Sequence, residues 1–231
     1  MEVVYEDNHI IIVSKQSGEI VQGDKTGDVT LLETIKSYIK VKYGKPGNVF
    51  LGVVHRLDRP VCGLVVFART SKALSRLNEM FRLGKVHKTY WALVETSPNP
   101  AEADLKGWIL RNERQNKSYC YDKEREHSKF AHLHYHQLCT TDRYSLLEIE
   151  LYTGRHHQIR CQLASIGSLI RGDFKYGARR SNSNGSISLL ARRIVFEHPV
   201  SHKIIDVTAE VPKENVWVSA LATYNGLPKD N

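Results

Sequence analysis

The sequence has few cysteines and no long apolar run, and each shortage excludes a class of protein. Its 231 residues include four cysteines, and none of these forms a C-x-x-C pair. Such spacing argues against a zinc cage or a disulfide framework and predicts reduced thiols, as in cytoplasmic proteins. No apolar stretch reaches the ~18 residues that span a bilayer. The first residues, MEVVYEDNHIIIVSK, place acids before a short apolar run, unlike a signal peptide. We therefore expect a cytoplasmic protein with no membrane partner.

Acidic residues are scarce in one part of the chain. The net charge is +8, and the segment from Arg155 to Arg193 holds eight lysines and arginines against a single acid, Asp173. A solvated face normally mixes its signs, so this concentration of positive charge favours a phosphate-binding surface. Nucleic acid is the leading partner class.

The hydrophobic pattern predicts an α+β fold with more strand than helix. Alternating or continuous apolar runs predict strands at Val3–Tyr5, Ile10–Val13, Gly63–Ala68, Val86–Glu95, Ala131–Leu138, Tyr144–Tyr152, Ile187–Phe196 and Lys203–Val207. Helical spacing and capping signals predict helices from Thr30 to about Tyr43, from Ser71 to Gly84, and over Arg155–Ile166. The charged segment Arg111–Lys129 suits an exposed hairpin or loop, and the chain after Tyr224 suits a frayed tail.

The segment Val53–Thr70, VVHRLDRPVCGLVVFART, sets four ionisable residues beside a run typical of a buried strand. Asp58 stands between Arg56 and Arg59 at the start of that strand. Burial and charge partners at such a place set protonation states, which is where chemistry concentrates. Taken alone, the segment is equally compatible with a surface ion pair in a turn.

Two further segments carry groups suited to chemistry. In Lys88–Val94, strand alternation places Lys88, Tyr90 and Ala92 on one face, although Tyr90 by itself could be an ordinary core aromatic. In Thr153–Arg160, Gly154 permits a sharp turn before a helix whose first N–H groups could bind phosphate.

Together these segments closely resemble the RluA-type family of RNA pseudouridine synthases. The resemblance is carried by HRLDRPVCGLVVFA around Asp58, KTYWALV around Tyr90, and YTGRHHQIRCQLASIGSLIRGDFKYGA from Tyr152 to Ala178. It extends from Val3 to about Trp217. It implies one catalytic domain over residues 1–223, with a mixed, mostly antiparallel central sheet, flanking helices and a central cleft. From the sequence itself we expect a flexible tail at 224–231 and no N-terminal S4-like RNA-binding domain.

The activity implied by the resemblance is the isomerisation of uridine in RNA to pseudouridine, with no cofactor and no metal. Asp58 matches the family's catalytic carboxylate, which would stabilise positive charge on the sugar as glycosidase carboxylates do. Attack on C1′ and removal of a proton from C2′ both remain open for it. Arg155 matches the cation that keeps this acid charged, and Tyr90 would stack on the uracil and help to remove the C5 proton.

The target nucleotide must leave its stack to be reached, and Arg56 matches the arginine that fills the vacated space. The predicted partner is ribosomal or transfer RNA, and the expected state is a monomer. The RNA-binding candidates are His55, Arg56, His157, Arg160, Arg171, Lys175, Arg179 and Arg180.

Three departures from the family pattern concern substrate choice. Val61-Cys62 replaces Thr-Ser, Gln16 replaces the proline of Lys-Pro-x-Gly, and Cys161-Gln162 replaces Val-His. None of them removes Asp58, Tyr90 or Arg155, so the implied activity class is unchanged.

Two other functions are compatible with parts of this sequence. A catalytically idle RNA-binding protein on the same fold would need arginines but no acid among them, so Asp58 argues against it. A metal-dependent hydrolase could use His132, His134 and His136 on one strand face. No Asp, Glu or Cys completes that set at nearby spacing in the sequence, so we predict no metal site.

Overall fold

A computed structural model describes residues 1–23 and 27–227. Within them lie eleven strands and four helices. The strands are β1 (Glu2–Glu6), β2 (Ile10–Lys15), β3 (Gly52–Val53), β4 (Cys62–Ala68), β5 (His87–Val94), β6 (Glu102–Asn112), β7 (Lys117–Tyr121), β8 (Lys129–Thr140), β9 (Ser145–Leu151), β10 (Leu189–Glu197) and β11 (Ile204–Thr208). The helices are α1 (Leu31–Lys42), α2 (Ser71–Arg82), α3 (Gln158–Ser165) and α4 (Asn215–Gly226).

The described residues group into two compact units. The first unit comprises Met1–His87 and Arg193–Ala209, and the second comprises Lys88–Arg192 and the described residues from Glu210 onwards. Asp58 belongs to the first unit, and Tyr90 and Arg155 belong to the second.

Strands β2 and β4 form the core of the first unit. They pair antiparallel from Ile10↔Ala68 to Lys15↔Gly63. Every residue of β2 is buried, and Ile10–Val13 are fully inaccessible, as the continuous apolar runs predict. Each such side chain contributes about 1.5–3 kcal/mol relative to leaving it exposed.

Helix α1 begins at the capping box that the sequence predicts. The Thr30 hydroxyl accepts from the Glu33 N–H, and the Glu33 carboxylate accepts from the Thr30 N–H. Ile35 and Ile39 are fully buried on one face of the helix. Helix α2 has a simpler N-cap, Thr70, whose hydroxyl accepts from the Ala73 N–H.

The second unit contains an antiparallel sheet in the order β5-β9-β8-β6-β7. In β8, Ala131, Leu133 and Tyr135 are buried and alternate with the more accessible histidines at 132, 134 and 136. This alternation gives the sheet one apolar face and one polar face. Cys161 of α3 packs on the apolar face, in a cluster with Ile109 and Ala131.

The fold class is α+β with a mixed, mostly antiparallel sheet, as predicted. Helix α4, however, is absent from the sequence prediction, and it extends through Gly226. The expected tail therefore begins inside a helix, and its last residues, 228–231, lie outside the described residues. All four cysteines are free thiols. Among the described helices, none combines the length and apolar character that crossing a bilayer requires.

Candidate active site

Asp58 lies in the loop that connects β3 to β4. The loop is anchored by Leu57 and Val61, which are 9% and 3% exposed, while Asp58 itself is half-buried. The Val61 N–H donates to the Asp58 carbonyl at 3.0 Å, which closes a turn around the acid. Gly63 then enters β4 with φ of +113°, a conformation that glycine adopts without strain. The sequence therefore fixes Asp58 on a short, anchored loop.

The buried Lys15 side chain holds this loop in place, and the sequence analysis did not predict that role. Its side chain is fully buried at the end of β2, and Nζ donates to the carbonyls of Val61, Arg59, Asp58 and Gln16 at 2.6–3.3 Å. Burial lowers the pKa of Lys15 to about 8, with nearby charges as smaller influences. The signal was a lysine ending an otherwise apolar strand, since a buried ammonium must find several acceptors.

The basic neighbours of Asp58 differ in their environment. Nε2 of His55 accepts from the Val66 N–H at 3.0 Å, and its ring stacks on Phe81 with centroids 4.9 Å apart. His55 thus braces the loop against β4 and α2, a structural role in addition to the predicted RNA contact. Arg59 pairs with Asp28 at 2.9 Å, and Arg56 is exposed.

In the second unit, β5 and the Thr153–Arg155 turn lie close together. Tyr90 is 8% exposed and lies opposite Ile149 of β9. Lys88, on the same face, is half-buried, and burial lowers its pKa. A Cβ added to Gly154 would lie 3.9 Å from Lys88 Nζ, which is an ordinary contact distance, so this turn lies beside Lys88 of β5.

Arg155 is held by backbone and side-chain contacts. Its Nε donates to the Phe130 carbonyl of β8 at 2.8 Å, and its N–H donates to Oε1 of Gln158 at 3.0 Å. The same Gln158 oxygen accepts from the Thr153 hydroxyl at 2.8 Å. The helix expected from Arg155 begins only at Gln158, because His157 takes a left-handed conformation with φ of +52°. The N–H of Arg155 is therefore occupied by Gln158 and does not serve as the expected phosphate donor.

His157 is buried, which corrects its prediction as an RNA contact. It is 7% exposed, its Nδ1 lies 3.0 Å from the Tyr176 hydroxyl, and its ring stacks on His156. Burial, followed by the charge of Arg160, lowers the pKa of His157 to about 2. A neutral, enclosed imidazole cannot neutralise a phosphate.

Arg160 is likewise corrected. It is 5% exposed, and its guanidinium donates twice to the Asp173 carboxylate, at 2.7 and 2.8 Å. Asp173 is 2% exposed, so the pair is a bidentate ion pair inside the unit. The pair joins α3 to the short 3₁₀ turn Phe174–Tyr176. The positive charge of Arg160 is therefore already compensated by Asp173.

The remaining predicted RNA contacts divide by exposure. Arg171 donates to the Ser188 hydroxyl at 3.1 Å and lies 3.8 Å from Glu214, so its charge is partly compensated. Lys175, Arg179 and Arg180 are exposed. Lys175 donates to the carbonyls of Gln115 and Asn116, which directs its ammonium towards the β6–β7 hairpin.

The histidines of β8 have acidic neighbours that the sequence spacing concealed. β6 brings Asp104 to 2.6 Å from His132, and Glu102 to 3.1 Å from His134. Strand pairing supplies these acids from about thirty residues away, which local spacing does not reveal. Even so, across residues 1–23 and 27–227 no group of three or more such side chains has an arrangement that could hold a metal ion.

The comparisons with known proteins identify the family. A family model described as RNA pseudouridylate synthase matches residues 9–165, a range that includes Asp58, Tyr90 and Arg155. The ribosomal large subunit pseudouridine synthase D of Zymomonas mobilis is 30% identical over 93% of this chain and 70% of its own length. The tRNA pseudouridine synthase C of Salmonella typhimurium is 27% identical over 100% of this chain and 93% of its own length.

Among solved structures, the human RNA pseudouridylate synthase domain containing 4 has a TM-score of 0.79 at 21% identity. The match covers 99% of this chain and 95% of that one, and it shows a shared fold. The chain belongs to the RNA pseudouridine synthases, a family of isomerases, and to their RluA type. The resemblance seen in its motifs is confirmed.

Proposed function

We propose that this chain isomerises specific uridines of ribosomal or transfer RNA to pseudouridine, with Asp58 as the catalytic carboxylate. The observation that carries the proposal is the position of Asp58: a half-buried acid on a loop whose carbonyls are held by buried Lys15. Relatives named for ribosomal and for transfer RNA supply the substrate class.

The reaction exchanges one bond to the sugar for another. The C1′–N1 bond breaks, the uracil rotates, C1′–C5 forms, and the proton on C5 leaves while N1 gains one. Positive charge develops at C1′ as the first bond breaks, and an adjacent carboxylate stabilises it. The atoms before and after are the same, so the reaction consumes no co-substrate, and the proposed mechanism uses no cofactor and no metal.

Three other residues support this chemistry in the proposal. Arg155, held by the Phe130 carbonyl, would keep the Asp58 carboxylate charged when RNA excludes water. Tyr90, which is largely buried on β5, would stack on the flipped uracil and assist removal of the C5 proton. Arg56, which is exposed beside the acid, would occupy the space that the flipped nucleotide leaves.

RNA affinity in this proposal comes from exposed cations, namely Arg56, Lys175, Arg179 and Arg180, with His55 and Arg171 as further contacts. We propose that the protein acts in the cytoplasm as a monomer through one catalytic domain over residues 1–223.

The proposal is tested by release of tritium from RNA labelled at C5 of uridine, since forming C1′–C5 expels that hydrogen. The wild-type protein should release tritium from total cellular RNA, and Asp58→Asn should reduce the rate at least about a thousandfold, as expected for the loss of a group that acts on the reacting atoms. RNA affinity of Asp58→Asn should stay near that of the wild type.

The matched control is Asp28→Asn, which removes a carboxylate that pairs with Arg59 in the same unit. It should retain activity, because Asp28 has no part in the proposed chemistry. Wild-type RNA affinity without tritium release would favour the idle RNA-binding function, and full activity of Asp58→Asn would refute the assignment of Asp58.

A further inference from the structure

One face of the second unit carries exposed aromatic rings that the proposed chemistry does not use. Strand pairing places Trp108 beside Tyr121 and Phe130, and it places Leu110 beside Tyr119. Paired residues share a face of a sheet, so these side chains lie together at the β6–β7–β8 edge. We call Trp108, Tyr119, Tyr121 and Phe130 the aromatic platform.

The aromatic platform is accessible. Phe130 is 42% exposed and Tyr119 is 36% exposed, and Trp108 and Tyr121 are half-buried. The opposite face is covered instead: Ile109 packs with Cys161 of α3 in the core cluster. The Trp108 and Phe130 rings meet edge to face with centroids 5.7 Å apart, which fixes their orientation. Four accessible rings on one face indicate a binding surface for a partner with flat, apolar groups.

Cations border the aromatic platform. The Arg125 guanidinium lies 3.8 Å from the Tyr121 ring centroid, and Lys117 Nζ lies 5.6 Å from that of Tyr119. Lys106 precedes Trp108 by two positions on β6, on the same face, and is exposed. From Lys106 to Phe130 the chain has seven lysines and arginines against four acids.

This combination points to unpaired nucleotides. Aromatic rings interleaved with cations bind single-stranded nucleic acid, because bases stack on rings while phosphates meet the charges. A sheet whose exposed aromatics stack two or three bases is a recurring form of RNA recognition. An apolar protein partner would need the rings but would gain nothing from a rim of lysine and arginine.

The aromatic platform is also connected to the Arg155 segment. The carbonyl of Phe130 accepts from Arg155 Nε at 2.8 Å, so one residue both presents a ring and holds the arginine. The Lys175 ammonium donates to the carbonyls of Gln115 and Asn116, which form the turn between β6 and β7.

We propose that the aromatic platform binds single-stranded nucleotides of the substrate RNA by stacking, as a second binding surface besides the catalytic residues. This inference rests on RNA being the substrate, as proposed above. It adds that the substrate presents unpaired nucleotides to this protein, in a loop, a bulge or a strand end.

The test measures binding of a short fluorescein-labelled oligouridylate and of an RNA duplex by fluorescence anisotropy. Tyr119→Leu and Phe130→Leu should each weaken binding of the single strand about 5- to 150-fold, the range for loss of one stacked base. Their effect on the duplex should be small. Tyr119→Phe should bind as the wild type does, because it keeps the ring.

A matched control is Phe50→Leu, which removes a ring that is 47% exposed in the first unit. It should leave oligouridylate binding unchanged. Thermal unfolding of each variant confirms that the fold is intact; the Phe130 variant keeps the carbonyl that holds Arg155. Arg125→Gln should reduce the dependence of log K on log salt by about 0.7, the value for one lost phosphate contact on a single strand.

Oligouridylate binding that is unchanged in both leucine variants would overturn the inference. So would a wild-type self-association, seen by sedimentation, that the leucine variants abolish while RNA binding persists, because the aromatic platform would then be an interface between copies. Tritium release by the wild type is measured in parallel. Release with unchanged binding in the leucine variants refutes the aromatic platform alone and leaves the proposed function standing.

Discussion

At the scale of single residues, burial decides what each ionisable group of the three motif segments can do. Arg160 and His157 follow Arg155 within five positions and look equally suited to phosphate in the sequence. The structure encloses both of them, and it leaves Arg179 and Arg180 exposed. Charge alone therefore predicted too wide an RNA surface, because it carries no information on which side chains face inwards.

His157 should make stability depend on pH. Burial holds its pKa at about 2, below its ordinary value of 6.5. As the pH falls through about 6.5, His157 therefore binds a proton in the unfolded chain but stays neutral in the folded chain. Above pH 6.5 the free energy of unfolding is unaffected by this difference. Below pH 6.5 it falls by about 1.4 kcal/mol per pH unit, because protonation of His157 favours the unfolded chain. We expect urea unfolding of His157→Asn to show a correspondingly shallower loss of stability between pH 6 and 4.5.

Asparagine is chosen because it tolerates the left-handed backbone found at this position. The control is His127→Asn, which replaces an exposed histidine that is also left-handed, with φ of +62°. His127→Asn should keep the wild-type slope. Parallel curves for the wild type and His157→Asn would show that His157 takes up its proton in the folded protein.

At the scale of elements, the sequence predicted those helices and strands that have strong local signals. The apolar run of β4, the capping box of α1 and the start of α2 at Ser71 all occur where predicted. Helix α4 escaped prediction because its N-cap, Glu214, makes no side-chain capping bond and the segment contains β-branched valines. Strand β6 escaped because its first half contains Glu, Asp, Lys and Gly, which are residue types depleted in strands.

The sequence reveals the proposed site residues but not the contacts that support them. Asp58, Tyr90 and Arg155 are proposed from motifs that resemble those of the family. Lys15 lies 43 residues from Asp58, and the acids facing the β8 histidines come from another strand. Contacts of that kind depend on strand register, which a single sequence does not state.

The Arg160–Asp173 pair should be a main support of α3. Asp173→Asn leaves a buried guanidinium without its counter-charge, so we expect the free energy of unfolding to fall by about 3–5 kcal/mol. The double substitution Arg160→Met with Asp173→Asn removes the stranded charge and should recover a large part of that loss. Both values come from denaturant unfolding.

Asp206→Asn is the matched control, since it breaks the pair between Arg193 and Asp206, whose side chains are 50% and 43% exposed. Its cost should be at most about 1 kcal/mol. A loss of similar size for Asp173→Asn would contradict the importance of the buried pair.

At the scale of the whole molecule, the excess positive charge is the feature on which the proposed RNA binding depends. Within the segment Arg155–Arg193, the structure pairs Arg160 with Asp173, Arg171 with Glu214 and Arg193 with Asp206. Lys175, Arg179 and Arg180 are exposed, and in the proposed function they are the residues of this segment that bind phosphate. The charge that the proposal assigns to RNA binding is thus smaller and more local than the composition implies.

Arg179→Gln combined with Arg180→Gln should weaken RNA binding and flatten its salt dependence. Each lost phosphate contact lowers the slope of log K against log salt by about 0.7–0.9, so the pair should lower it by about 1.5. Anisotropy titrations over a range of salt concentrations measure this. An unchanged slope would mean that this end of the segment does not face RNA.

The central claim is that Asp58 of this chain makes pseudouridine in ribosomal or transfer RNA. Its most direct test is base-resolution mapping of pseudouridine in total RNA from cells that lack the gene, complemented either with the wild type or with Asp58→Asn. The account predicts that one or a few uridines lose the modification on deletion, regain it with the wild type and stay unmodified with Asp58→Asn. Restoration of the same sites by Asp58→Asn, or a map unchanged by deletion, would contradict it.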